Sequence, residues 1–128
     1  MTDKRQEALK IISEMTSPEV STALANAASS KEFGAFIGEL AVRNVFGEVW
    51  TRPGLDRRSR SLVTLGILIA LRAADELEGH FLIALRNGLS VKEIEEVIYQ
   101  ASAYAGFPAA YAARKVALET LRRAKVIN

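Results

Sequence analysis

The chain has 128 residues, with 17 Lys and Arg against 15 Asp and Glu, a net charge of +2. Hydrophobic residues make up 49% and charged ones 25%, which excludes a disordered or low-complexity chain, and so small a charge excess gives no polybasic surface to imply nucleic acid. Cysteine is absent, which excludes disulfides, thiolate metal sites and any sulfur nucleophile.

A chain of this length predicts one domain, 1–128, burying roughly two-thirds of the surface its unfolded form exposes. The opening Thr2-Asp3-Lys4-Arg5-Gln6-Glu7 is charged and mixed, so no secretory signal is predicted and a cytoplasmic protein is expected. Leu9, Ile12 and Met15 recur at helical spacing and predict a helix from about 3 to 15. Ser17-Pro18-Glu19 starts a second, short helix, because Ser caps, Pro suits the first helical position and Glu favours the first turn. Phe33, Phe36, Ile37, Leu40 and Ala41 fall on one face of a third helix running to about Phe46, and that face is predicted to be core. Trp50-Thr51-Arg52-Pro53-Gly54 reads as a turn, since proline pushes Arg52 out of helical geometry.

Asp56 caps a fourth helix, from about Arg57 to Ala73, whose second half is apolar nearly all round and is expected to be covered by other helices or another subunit. Its apolar run, Leu62 to Leu71, is about half a bilayer span, so no membrane partner is expected. Asp75-x-x-Glu78 and Ser90-x-x-Glu93 have capping-box spacing and predict helices beginning near Glu76 and Val91. Gly88 closes the first of these, Gly106 ends the second, and Pro108 opens a last helix running to about Lys125. No strand alternation and no repeat period interrupt this pattern. The predicted class is all-α, a compact helical domain of about six to seven helices that forms homo-oligomers.

Two sets of residues carry candidate chemistry. Arg57, Arg60, Ser61 and Thr64 share one stripe of the fourth helix, which turns apolar at Leu68 and Leu71. Such a stripe near a helix N-terminus holds an anion, because guanidinium groups pair bidentately with carboxylates and the end N–H groups add positive potential; the plainer reading is a solvated first turn with ion pairs. Arg52 and Arg58 extend the cluster at other angles. His80, the one histidine, sits at the edge of a Leu77, Phe81, Ala84, Leu85 stripe, with Ile83 and Asn87 on its side. A half-buried imidazole there is either a structural group bonded to a carbonyl or an acid working near neutral pH. Glu39 and Arg43 read as a surface ion pair, and the small residues of Gly106-Phe107-Pro108-Ala109-Ala110 as a close helix contact. One histidine and scattered carboxylates give no recognised metal-ligand set.

Trp50-Thr51-Arg52-Pro53-Gly54-Leu55-Asp56-Arg57-Arg58-Ser59-Arg60-Ser61-Leu62-Val63-Thr64-Leu65 resembles the central signature of the carboxymuconolactone decarboxylase family. His80 with Ala84-Leu85-Arg86-Asn87-Gly88-Leu89-Ser90, and Tyr104-Ala105-Gly106-Phe107-Pro108-Ala109-Ala110, keep that family's order, so the likeness spans about Phe33 to Leu121. The family's alkylhydroperoxidase branch has a Cys-x-x-Cys-x-x-x-His motif and an upstream Glu. Aligned on His80, those positions are Ala73, Glu76 and Ser61 here, so thiol peroxidase chemistry is excluded. The resemblance to the cysteine-free branch implies an all-helical oligomer, a trimer or hexamer, that decarboxylates γ-carboxymuconolactone without a cofactor. For that substrate the expected binding residues are Arg57, Arg60, Ser61, Thr64 and Tyr111, with His80 as the acid or oxyanion donor and Leu68 or Phe81 in an apolar wall. One departure stands out: Tyr111 occupies the place after Pro-Ala-Ala where these decarboxylases tend to have Asn, and a larger side chain lining the pocket there changes which lactone or keto acid fits.

A helix-turn-helix reading of Leu89-Ser90-Val91-Lys92-Glu93-Ile94 fails on its second helix, because Phe107-Pro108-Ala109-Ala110-Tyr111-Ala112-Ala113 offers base edges almost nothing to bond. A family member with another cofactor-free activity, or a non-catalytic oligomeric binding protein, is the remaining alternative.

Overall fold

The structure is a computed structural model and describes residues 3–128; Met1 and Thr2, the first two residues of the opening, lie outside the described residues. Seven α-helices and no strand occur among the described residues. Backbone contacts divide them into a first unit ending at Leu55 and a second beginning at Asp56.

In the first unit α1 (Lys4–Met15) begins where the sequence predicts, with the Asp3 side chain accepting the Arg5 N–H at 3.0 Å. Its buried stripe is Ala8, Ile11, Ile12 and Met15. Ser17 caps α2 (Pro18–Ala25) through the Val20 N–H, and a 3-10 turn, Ala27–Ser29, follows. Then α3 (Phe36–Ala41) runs on into a π-helical segment, Val42–Trp50.

This third helix departs from expectation. Phe33, Phe36, Ile37 and Leu40, the predicted core face, are exposed, while Glu39, Val42, Phe46, Gly47 and Trp50 are buried. The reason lies within α3 itself: Glu39 turns inward to Arg5 of α1 and to Arg43, which leaves its apolar neighbours outward, and only after Ala41 does the i→i+5 bonding of the π segment stretch the repeat beyond 3.6 residues. The π segment packs chiefly on α1. Gly47 permits that approach, since a Cβ there meets the Val42 carbonyl oxygen at 3.3 Å and the Ala8 Cβ at 3.6 Å.

Glu39 is correspondingly not a surface residue. Its fully buried carboxylate accepts two bonds from Arg5, at 3.0 Å (Nε) and 3.1 Å (Nη2), and one from Arg43 Nε at 2.8 Å. Those guanidinium bonds, Arg5 first, hold the carboxyl below its ordinary range against the opposing effect of burial. Glu48, at the far end of the segment, pairs with Lys4 at 2.8 Å.

The second unit comprises α4 (Arg57–Leu71), α5 (Ala74–Arg86), α6 (Val91–Tyr104) and α7 (Phe107–Arg123). Asp56 caps α4 through the Ser59 N–H at 2.7 Å, and Ser90 with Glu93 forms a complete capping box on α6. The box predicted at Asp75-x-x-Glu78 does not form. Helix α5 starts one residue before Asp75 with no side-chain cap, because Arg72 turns the chain in left-handed geometry, and Glu78 instead pairs with Arg123 of α7 at 2.6 Å. Leu65, Ile69, Leu77, Phe81, Ala84, Ile94 and Ile98 build the core, and the small Ala109, Ala110, Ala113 and Ala117 let α7 lie close against it. Only part of the apolar half of α4 joins in: Val63, Ile67 and Leu71 are exposed. No described helix is long and apolar enough to cross a membrane.

Candidate active site

Helices α4 and α5 are joined by two residues and therefore run antiparallel, and a hydrogen bond between them marks the register that their packed core sets. That bond is Asn87 Nδ2 to Ser61 Oγ, 3.0 Å, with Ser61 1% exposed. A hydroxyl so deep is tolerated because the amide satisfies it. Asn87 also ends α5, its own N–H bonding the Ile83 carbonyl. Neither role is evident in the sequence, although Asn87 follows His80 by two helical turns and so shares its face.

The register decides which candidates meet. His80 lies seven residues before Asn87, about 10.5 Å up α5, level with Leu68 on α4. The structure thus brings Ser61 and Asn87 into contact; counted by helical rise from that bond, Thr64 lies about one turn, and Arg60 and Arg57 two to three turns, along α4 from the level of His80. Thr64 returns its hydroxyl to the Arg60 carbonyl at 2.8 Å. Arg57 and Arg60 are half-buried, whereas Arg58 is turned to Glu93 in an ion pair. Asp56 already occupies the α4 end: its carboxylate, held below the usual range first by the Ser59 N–H, offsets part of the helix-end potential the sequence promised to an anion. Tyr111 joins neither group. It is exposed on α7 and lines a hollow with α6.

His80 is half-buried, with Nδ1 among the buried atoms. Burial pushes its pKa below 6.5, with Glu76 opposing. The imidazole is therefore neutral at pH 7, which suits it to donate an N–H to a developing oxyanion rather than to act as an imidazolium acid. The stripe running from Arg60 through Thr64 to Leu68 passes from cationic to apolar along one helix, an environment that draws in an anion at one end and disfavours a charged carboxylate at the other.

An all-helical unit with a polar-to-apolar stripe on α4 and a half-buried imidazole on the adjoining α5 has a counterpart among known proteins. Residues 37–119 match the model of the Carboxymuconolactone decarboxylase family, a span that crosses the boundary between the two units. The chain belongs to this family. It is 43% identical over 93 residues to a 4-carboxymuconolactone decarboxylase of Acinetobacter baylyi, a match covering 73% of this chain and 66% of that one, just under two-thirds of its length. It is 38% identical over 116 residues to the nitrosuccinic acid decarboxylase npaB of Metarhizium robertsii, covering 90% of this chain and 79% of that relative.

Proposed function

We propose that the protein is a cytoplasmic, homo-oligomeric carboxy-lyase that decarboxylates γ-carboxymuconolactone to β-ketoadipate enol-lactone in protocatechuate breakdown. The observation that carries this reading is the 43% identity to the bacterial decarboxylase across 93 residues that include the whole α4–α5 pair and its signature. In the reaction the bond between the γ carbon and its carboxylate breaks, CO2 leaves, and the electron pair moves through the ring double bond onto the lactone carbonyl. A proton then restores the neutral lactone. The electron sink belongs to the substrate, so no cofactor is assigned.

The protein's share is placement and charge stabilisation. Arg60, the nearer arginine to His80, takes the spectator carboxylate, and Arg57 draws the dianion to that end. Thr64 lies between Arg60 and Leu68 on the stripe, Ser61 is buried against Asn87 and acts by holding α5 in place, and the apolar Leu68 level destabilises the departing carboxylate. His80, neutral at pH 7, donates to the carbonyl oxygen as charge develops. Assembly into a trimer or hexamer is part of this proposal, supported by the exposed Val63, Ile67 and Leu71 on α4; a sedimentation mass near 14 kDa at micromolar concentration would contradict it.

A second reading has its own support. The nitrosuccinic acid decarboxylase aligns over more of both chains, and Tyr111 stands where the resemblance leads one to expect Asn. A nitro group accepts the electron pair left by CO2 as a conjugated lactone does, so one site logic serves both acids. Incubation with each acid, following CO2 release against the uncatalysed background, decides between them. Release from γ-carboxymuconolactone is expected; turnover of nitrosuccinate alone moves the assignment to the second reading, and turnover of neither overturns both.

A further inference from the structure

The hollow that holds Tyr111 is the starting point. It measures about 270 Å³ and is lined by Ile98, Tyr99 and Ser102 of α6 and by Phe107, Ala110, Tyr111 and Arg114 of α7. Phe107, Tyr111 and Arg114 recur at helical spacing and so share one face of α7. The neighbouring hollow along the same two helices, about 190 Å³, shares Ile98, Tyr99 and Arg114 but adds Glu95. A third, about 420 Å³, between α4 and α6, has no charged residue in its lining. Of the three, the Tyr111 hollow alone is lined by a cation and no carboxylate.

Its polar groups are divided in their commitments. Ser102 gives its proton to the Tyr99 carbonyl at 2.6 Å. Tyr99 is engaged by Glu95, whose charge and hydrogen bond push the phenol above its ordinary range. Arg114, by contrast, makes no ion pair or hydrogen bond among the described residues; its charge acts on the Tyr99 phenol, opposing Glu95, and it lines the hollow together with Tyr99, Phe107 and Tyr111. The lining thus offers a guanidinium fork and the Tyr111 hydroxyl as donors beside the faces of Phe107 and Tyr99, a combination matched by a flat acid: a carboxylate for the fork and a π-system or apolar ring for the aromatic walls.

We propose that the α6–α7 hollow is a binding site for a small aromatic or unsaturated carboxylic acid, with Arg114 as its carboxylate anchor and Phe107 and Tyr111 as its walls. The site is separate from the α4–α5 stripe, and its test does not depend on turnover. Benzoate, titrated into the full-length protein and followed by NMR, is expected to move the signals of Phe107, Tyr111 and Arg114 at millimolar concentration. Arg114→Gln is expected to weaken it about tenfold, the loss of one charge-assisted contact, and to leave helical CD unchanged because the side chain is exposed. Benzamide, of the same shape without the charge, should bind the native protein as weakly as benzoate binds that variant. Phe107→Ala supplies a second, charge-neutral loss. Benzoate binding unchanged by Arg114→Gln, equal binding of benzamide, or no shift at these residues overturns the proposal. The source of the acid is read separately from decarboxylase kinetics: a raised KM in Arg114→Gln identifies it with the substrate, and an unchanged KM with a second ligand.

Discussion

In the first unit the polar contact that ties helices together is a buried carboxylate, Glu39, clamped by the Arg5 and Arg43 guanidiniums; in the second it is a buried hydroxyl, Ser61, held by the Asn87 amide. The first needs two cations because a buried charge loses its hydration, and it welds α1 to the start of the π segment. The second has little desolvation to repay and adds one specific tie to the packed register of α4 on α5. Strong charge clamping therefore lies in the unit with no assigned chemistry, while the pair that carries the candidate stripe and His80 is held by a modest neutral bond. A weak, specific tie positions groups without adding a charge that would compete with an anionic substrate.

This contrast is open to attack at several strengths. The largest effect is expected at His80, where replacement by Ala should lower turnover by at least about 100-fold, in line with the roughly 2.7–4 kcal/mol of one oxyanion donor, while helicity and assembly persist. As a neutral donor His80 should also give turnover nearly constant from about pH 7 to 8, whereas an imidazolium acid loses activity steadily across that range. Near-native turnover of His80→Ala removes it from the mechanism.

Glu39→Ala should cost about 2 kcal/mol of stability by urea unfolding, the order of the charge-assisted bonds lost, since Arg5 and Arg43 are left part exposed rather than buried, and should leave KM unchanged. The two units should also differ in acid. The Glu39 carboxyl is held below its ordinary 4.5, so its contribution is present above that value and disappears as pH falls through the depressed one. His80 is depressed from 6.5, so the unfolded chain takes up a proton first and its contribution fades as pH falls below about 6.5. Amide exchange in α5 should therefore accelerate at higher pH than exchange in α1, and a common onset would refute the division.

Asn87→Ala should cost about 1–2 kcal/mol, because Ser61 is left buried and unbonded, and should raise KM through the shifted register. Adding Ser61→Ala should not increase the loss of stability; additive losses would show that the two groups are not coupled. Smallest of all is Arg58→Ala, expected to cost under about 1 kcal/mol and to leave turnover unchanged, since Arg58 is directed at Glu93 on the surface. A large loss of turnover there would redraw the cationic end of the stripe.

Much of the helical framework was legible in the residues because its signals are local. Asp3, Ser17, Asp56 and the Ser90–Glu93 box act within one turn of themselves, and each caps as its chemistry requires. The apolar period of α1 and α5 likewise marks much of their buried faces, and the family signature is written in consecutive residues. The α3–π segment was not legible. Glu39 rather than Phe36 turns inward toward an arginine 34 residues earlier in the chain, and the wide helical turns that follow from Val42 shift the later buried face; no local pattern encodes either.

The candidate site divides in the same way. Sequence alone determined that the protein is all-α, lacks thiol chemistry, and sets Arg57, Arg60, Ser61 and Thr64 on one stripe and His80 at the edge of another, since helical spacing is a property of the chain itself. Tertiary structure decided that Asn87 meets Ser61, that Glu39 is buried between Arg5 and Arg43, and that Tyr111 shares a hollow with Arg114. These are relations between helices, set by how side chains of unequal size interlock, and spacing along one helix carries no information about the depth or register of its neighbour.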